Sequence, residues 1–301
     1  MCNTPLKVGV LLGGHSEERE VSLQTGKAVI RACRSLGYTT FPIEIESTLD
    51  PYMSRLKQMD LVFIALHGGI GENGHIQQQL ENLKIPYTGS NPKSSSLCMD
   101  KNLSKKLAKS IGVQTADWVN ITSRDEKSDF IDLPYVVKPN DQGSTVGLSI
   151  VHNQFEVDPA LDLAFQYGEN IMIETYINGR ELTVAIIDGN PMPIVEIKPS
   201  HEVYDYQCKY TEGLSTYECP ADLPGELTLK IHEDSIRLFN AFECKGYGRI
   251  DYLLDDDGRY YFLEMNTLPG MTNTSLVPKA VASNGDSFED LIQQIIEITL
   301  N

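Results

Sequence analysis

Arg249-Ile250-Asp251-Tyr252-Leu253-Leu254-Asp255-Asp256-Asp257-Gly258-Arg259-Tyr260-Tyr261-Phe262-Leu263-Glu264-Met265-Asn266 reads as two β-strands joined at Asp257-Gly258. Strand-forming runs on either side of an Asp-Gly pair are a strong short-range signal for a hairpin. A two-residue turn at that pair sets Asp251 opposite Glu264 and Arg249 opposite Asn266. Side chains two apart share a face, so all four project from one side of the sheet. Two carboxylates and a carboxamide in one cluster repel unless a cation lies between them. Oxygen-only donors of this kind suit Mg²⁺ or Mn²⁺ bridged to substrate phosphates. The other reading is an exposed hairpin face with incidental charges, and a three-residue turn would put Asp251 on the opposite face from Glu264.

Outward from the hairpin, Leu182–Ile187 turns at Asp188-Gly189-Asn190-Pro191 into Ile194–Ile197, a helix runs from about Leu227 to Cys244, and Phe288–Leu300 reads as a terminal helix. In the middle of the chain, a charged helix over Asp100–Ala108 is closed by Gly112. The strand Tyr135–Pro139 then meets the loop Asn140–Gly147 before Leu148–Val151 resumes a strand. The first part alternates strand and helix signals: Val8–Leu12, a helix from about Ser22 to Leu36, Phe41–Ile45, Leu61–Leu66, and a short helix near Ile76–Leu83. The expected division is an N-terminal α/β domain over 1–97, a central subdomain over 98–180 and a C-terminal subdomain over 181–301.

The chain has 25 Lys and Arg against 42 Asp and Glu, a formal net charge of −17. That balance argues against a general nucleic-acid binder, because phosphate backbones are held by basic stripes. Any phosphate site must be local. The longest obvious apolar run is Leu61–Leu66, far short of the ~20 residues of a membrane helix. The N-terminal apolar run is too short for a signal-peptide core, so a cytoplasmic protein is expected. Six cysteines without a C-x-x-C pair and six histidines without H-E-x-x-H disfavour a zinc site.

Gly143-Ser144-Thr145-Val146-Gly147 can wrap an anion with successive backbone N–H groups, and Lys138 can add a point charge, or the loop is a plain hairpin connection. Neither a G-x-x-x-x-G-K-[ST] nor a G-x-G-x-x-G sequence occurs, which disfavours a Walker-type nucleotidase and a dinucleotide-dependent dehydrogenase. Glu18 can hold an ammonium group or can offset a helix dipole together with Glu17 and Glu20. His67 is a polar ligand contact or a satisfied loop histidine.

Taken together these segments resemble the D-alanine–D-alanine ligases, a branch of the ATP-grasp superfamily. The resemblance runs nearly the whole length and in order. It comprises Leu11-Leu12-Gly13-Gly14 with Glu18-Arg19-Glu20-Val21-Ser22, Ala65-Leu66-His67-Gly68 with Gly71-Glu72, and Met99-Asp100-Lys101. Lys138-Pro139 with Gly143-Ser144, then Glu174 with Gly179 and Glu181, and Tyr204-Asp205-Tyr206 with Lys209-Tyr210 follow. Gly248-Arg249-Ile250-Asp251, Glu264-Met265-Asn266-Thr267, Pro269-Gly270-Met271-Thr272 and Ser275-Leu276-Val277-Pro278 close the set. Tyr176 stands where the family often has Trp, Asn73 replaces a common acidic residue, and Thr145 a common Ser.

The resemblance implies an α/β and α+β architecture: an ATP-grasp fold behind an N-terminal Rossmann-like parallel-sheet domain. It implies ATP-dependent ligation of two D-alanines through a D-alanyl phosphate, for peptidoglycan precursors, in a homodimer. A D-alanine–D-lactate ligase is the nearest alternative within the family. By the same resemblance Asp251, Glu264 and Asn266 hold two Mg²⁺ or Mn²⁺ ions. Lys101, Lys138 and Lys209 contact phosphates, and Glu174, Tyr176, Ile177 and Glu181 line the adenosine pocket. Glu18 binds the first ammonium group, with His67 beside the substrate. Arg249 and the Gly270 N–H form an oxyanion hole, and Ser275 with Leu276 receives the second carboxylate. Ser144 and Tyr210 hydrogen-bond with Glu18 and close the loop around Val203–Tyr217 over the site.

Overall fold

The chain is described here from a computed structural model covering residues 5–124, 126, 131–200, 204, 208–209, 211, 213–272 and 274–301. Tyr210, expected in the catalytic set, lies outside the described residues, as does much of the loop around it.

The apolar run β1 (Lys7–Gly13) is the middle strand of a parallel sheet, because only a strand buried on both faces accommodates Val8, Val10 and Leu11 together. After it comes α1 (Arg19–Ser35), which starts three residues before the expected Ser22 and buries Val21, Thr25, Ala28, Val29 and Ala32 at helical spacing. β2 (Thr39–Ile45) pairs with one side of β1; after the short α2 (Met53–Leu56), β3 (Leu61–Ile64) pairs with the other. α3 (His75–Leu83) follows the glycine loop at the end of β3. α4 (Pro92–Met99) starts where Asn91 accepts the Ser94 N–H, and α5 (Lys101–Ser110) where Asp100 accepts the Leu103 N–H.

A four-stranded antiparallel sheet follows, built from β4 (Trp118–Ile121), β5 (Tyr135–Pro139), β6 (Ser149–Val151) and, after α6 (Val157–Ala164), β7 (Ile171–Thr175), in the order β4-β7-β5-β6. The third sheet runs β11-β10-β8-β12-β13, from β8 (Gly179–Ile187), β10 (Val195–Pro199), β11 (Ser215–Glu218), β12 (Tyr247–Asp255) and β13 (Tyr260–Asn266), with the two-residue β9 (Asn190–Pro191) beside β8. α7 (Gly225–Ala241) precedes β12, and α8 (Leu276–Ser283) and α9 (Phe288–Leu300) end the chain. Apolar residues of α8 and α9 join the core of the N-terminal sheet, which brings the last segment of the chain against the first. No helix among the described residues is long and apolar enough to cross a membrane.

The β12–β13 hairpin corrects the expected turn. Asp255 N–H donates to Arg259 O at 2.9 Å and Gly258 N–H to Asp255 O at 3.1 Å, so the loop has three residues, Asp256-Asp257-Gly258. Gly258 takes the left-handed conformation (φ +79°) that such a turn requires. Alone, this turn would separate Asp251 from Glu264. A bulge restores the pairing: Tyr252 faces Phe262, Asp251 faces Glu264, and Leu263 is the extra residue between. The expected register near the site therefore holds, for a reason the turn alone does not supply.

Candidate active site

Two adjoining cavities lie among the three sheets. The larger, of about 370 Å³, is lined by Lys138, Glu174, Tyr176, Ile177, Glu181 and Asp251 among others. The smaller, of about 100 Å³, is lined by Glu18, His67, Asn266, Gly270 and Ser275. Lys101, Ser144, Lys209, Arg249, Glu264 and Leu276 line both. Every site residue expected from sequence, Tyr210 apart, thus reaches one continuous space.

At the hairpin end, Asp251 is buried and its carboxylate is gripped by Arg249, whose Nε and Nη2 donate at 2.9 and 2.7 Å. Thr183 Oγ1, directly across on β8, donates to the same carboxylate at 2.5 Å. Lys101 Nζ lies 3.3 Å from Glu264 and donates to Gln142 O at 2.6 Å. Burial alone would raise the Glu264 carboxyl, but Lys101, Lys209, Lys138 and Arg249 hold it down at about 2. Glu181, on β8, goes the other way. Burial pushes it up to about 8, against the pull of Lys209, with Asp251 adding to the rise. Asn266 completes the donor set and its side-chain oxygen accepts the Leu268 N–H at 3.0 Å. Among the described residues no group of three His, Cys, Asp or Glu side chains is placed to hold a metal, so any ion here would rest on two carboxylates and an amide.

Elsewhere in the wall of the larger cavity, Glu174 on β7 lies between two lysines. Lys105 Nζ donates to Oε2 at 2.6 Å, and Lys138 Nζ donates to Oε1. Burial would raise this carboxyl, but the two ammonium groups hold it down at about 2. Lys105 was not expected from sequence. It stands one helical turn beyond Lys101 on α5, and that i, i+4 spacing was the available signal.

At the smaller cavity, Ser144 Oγ donates to Glu18 Oε1 at 2.5 Å. Ser144 and Thr145 both have positive φ (50° and 64°), a conformation that non-glycine residues rarely adopt and that loops hold at functional positions. Gly68 (φ +65°) allows the close approach on the other side, since a Cβ there would lie 2.8 Å from Glu18 Oε2. His67 is buried and satisfied by the protein: Nε2 lies 2.9 Å from Thr25 Oγ1 and Nδ1 faces Glu72 at 3.6 Å. Burial raises the Glu72 carboxyl against the opposing pull of His67. Thr25 and Glu72 were likewise not expected as site residues: Glu72 belongs to the quoted glycine-loop motif and lines the smaller cavity, whereas Thr25 is found through its contact with His67. Ser275 stands at the N-terminus of α8, and its hydroxyl accepts the Thr272 N–H at 3.0 Å.

The family pattern described as the D-ala D-ala ligase C-terminus matches residues 107–297, and the pattern for the N-terminus matches residues 50–90. The chain belongs to the D-alanine–D-alanine ligase family. Within it, the D-alanine–D-alanine ligase of Aquifex aeolicus is 42% identical over 97% of this chain and 100% of its own length. The crystal structure of the Bacillus anthracis D-alanine–D-alanine ligase complexed with ATP aligns with a TM-score of 0.85 at 35% identity, covering 98% of this chain and 97% of that one. The VanG D-Ala:D-Ser ligase of Enterococcus faecalis aligns with a TM-score of 0.86 at 28% identity, covering 98% and 100%. The ligase family and the ATP-grasp fold expected from sequence both stand.

Proposed function

We propose that this ligase joins two D-alanines in two steps within the paired cavities. A carboxylate oxygen of the first D-alanine attacks the γ-phosphorus of ATP, releasing ADP and forming D-alanyl phosphate. The amine of the second D-alanine then attacks the carbonyl carbon, and inorganic phosphate leaves from the tetrahedral intermediate. The observation that carries this reading is the continuity of the site. The lysine-lined cavity and the Glu18 cavity meet at Arg249, so a phosphoryl donor and an amino acid can lie end to end. Positioning and charge stabilisation then supply most of the catalysis.

In this assignment Glu174, Tyr176, Ile177 and Glu181 receive adenosine, and Lys101, Lys138 and Lys209 the phosphates. Glu18, oriented by Ser144, binds the ammonium group of the first D-alanine. Arg249 and the Gly270 N–H face the developing oxyanion. Ser275 and Leu276, at the start of α8, suit the second carboxylate, because a helix N-terminus offers unpaired N–H groups. The donor set Asp251, Glu264 and Asn266 fits Mg²⁺ or Mn²⁺: all three offer oxygen, and Asp251 and Glu264 oppose each other on neighbouring strands. Ions held there would neutralise charge on the transferring phosphoryl group. By the resemblance in sequence, Tyr210 joins Ser144 and Glu18 in the catalytic set.

Oxygen labelling tests the order of steps. With D-alanine labelled with ¹⁸O in its carboxylate, the released phosphate should carry one labelled oxygen per dipeptide formed. Unlabelled phosphate accompanying D-alanyl-D-alanine would remove the acyl phosphate. Parallel arms with D-serine and D-lactate as second substrate should give little product.

A further inference from the structure

α5 inverts the usual helix pattern: Lys101 and Lys105 are buried while Leu103 is exposed. Lys101 reaches the hairpin, whereas Lys105 donates to Glu174 and lies over the face of Trp118, 5.3 Å from its ring centre. Trp118 is itself tied back to α5 by its indole N–H, which donates to Asn102 at 3.0 Å. Glu174 therefore has one carboxylate oxygen on each lysine, and both lysines are within the larger cavity wall.

A carboxylate buried to this degree cannot lose its only counter-ion without leaving an uncompensated charge. With two lysines, one can leave. Lys105 is held from two sides and is 1% exposed in its side chain. Lys138, on β5 ahead of the Gly143–Gly147 loop, is 7% exposed and held by Glu174. We infer that Lys105 is a positioning residue: it stays on Glu174 as a permanent counter-ion so that Lys138 can turn from Glu174 to the nucleotide phosphates. Without Lys105, Glu174 retains Lys138 and competes with the nucleotide for it. This inference rests on reading the larger cavity as the nucleotide site.

A double-mutant cycle tests it, using the full-length protein, Lys105→Met, Glu174→Gln and the pair, with thermal unfolding of each variant to confirm folding. The readouts are ADP binding by calorimetry and KM for ATP against kcat at saturating D-alanine. Lys105→Met should weaken ADP binding and raise KM for ATP by roughly tenfold or more, with kcat changed by less than about twofold. In the Glu174→Gln background the same substitution should change binding by less than about twofold, because no carboxylate remains to trap Lys138. Lys105→Arg, which keeps the charge and serves if the methionine variant does not fold, should bind ADP within about threefold of the parent. Equal losses in both backgrounds, a loss confined to kcat, or an arginine variant as weak as expected for methionine would each overturn the inference. A parent protein that binds no adenine nucleotide would instead overturn the nucleotide-site reading itself.

Discussion

Glu174 stands alone between two lysines, whereas Asp251 and Glu264 face each other across a strand pair and have Arg249 and Lys101 as their partners. Both centres line the same cavity, but their charge balance differs. One carboxylate with two ammonium groups leaves a positive excess, which suits an anion and needs no metal. Asp251 and Glu264 are each matched by a cation, with Lys209 and Lys138 adding to the hold on Glu264, so a divalent ion held there competes with fixed positive charge. Under the proposed function, nucleotide affinity falls mainly to the first centre and phosphoryl transfer mainly to the second.

Four outcomes would sharpen or break that division. The largest concerns the hairpin: excess EDTA should abolish turnover, and Asp251→Asn or Glu264→Gln should lower kcat by at least about a hundredfold. Glu174→Gln should act mainly on KM for ATP. Steady-state kinetics in which all three variants move the same parameter would erase the distinction.

The next concerns acid stability. The Glu174 carboxyl is held at about 2, below its ordinary value of 4.5. Between those values the unfolded chain binds more protons, so stability rises with pH across the window and is lost as pH falls through about 2. The contribution is at most roughly 3–4 kcal/mol, because each tenfold change in proton affinity is worth roughly 1.4 kcal/mol. Unfolding free energies of Glu174→Gln should therefore fall less steeply between pH 4.5 and pH 2 than those of the parent. An unchanged slope would mean that Glu174 is not the paired anion the geometry shows.

Smaller effects belong to the Glu18 cavity. Removing the charge-assisted hydrogen bond with Ser144→Ala should lower kcat/KM for D-alanine by roughly ten- to a hundredfold, in line with the ~1.5–3 kcal/mol of such bonds. An unaltered kcat/KM would release Glu18 from dependence on the loop. Thr25→Val leaves a buried imidazole nitrogen without its partner and should cost ~1–2 kcal/mol in denaturant unfolding, with little change in KM for ATP. A larger effect on ATP than on stability would contradict the role given to Thr25.

The hairpin was legible because alternation and an Asp-Gly pair mark it locally, yet nothing in the sequence marks Leu263 as the bulged residue. α4 was not expected: Ser94-Ser95-Ser96 has weak helix propensity, and the helix depends on Asn91 as cap and Pro92 in its first turn. β4 is a four-residue strand whose residues are only partly buried until its last, Ile121, and it has too little alternation to stand out. Among site residues, Lys105 and Thr25 lie outside the recognisable motifs and show themselves only by their contacts, while Glu72 lies in a motif but has a role visible only beside His67. The lysines of α5 look like a solvated helix face in sequence. Only the carboxylates on two separate sheets explain why Lys101 and Lys105 turn inward.

The most direct measurement is nucleotide turnover with the amino acid varied. In Mg²⁺, ADP and phosphate should appear with D-alanine, one of each per D-alanyl-D-alanine formed, and at background rate with L-alanine or with no amino acid. ADP release that is indifferent to D-alanine, or equal with L-alanine, would contradict the account.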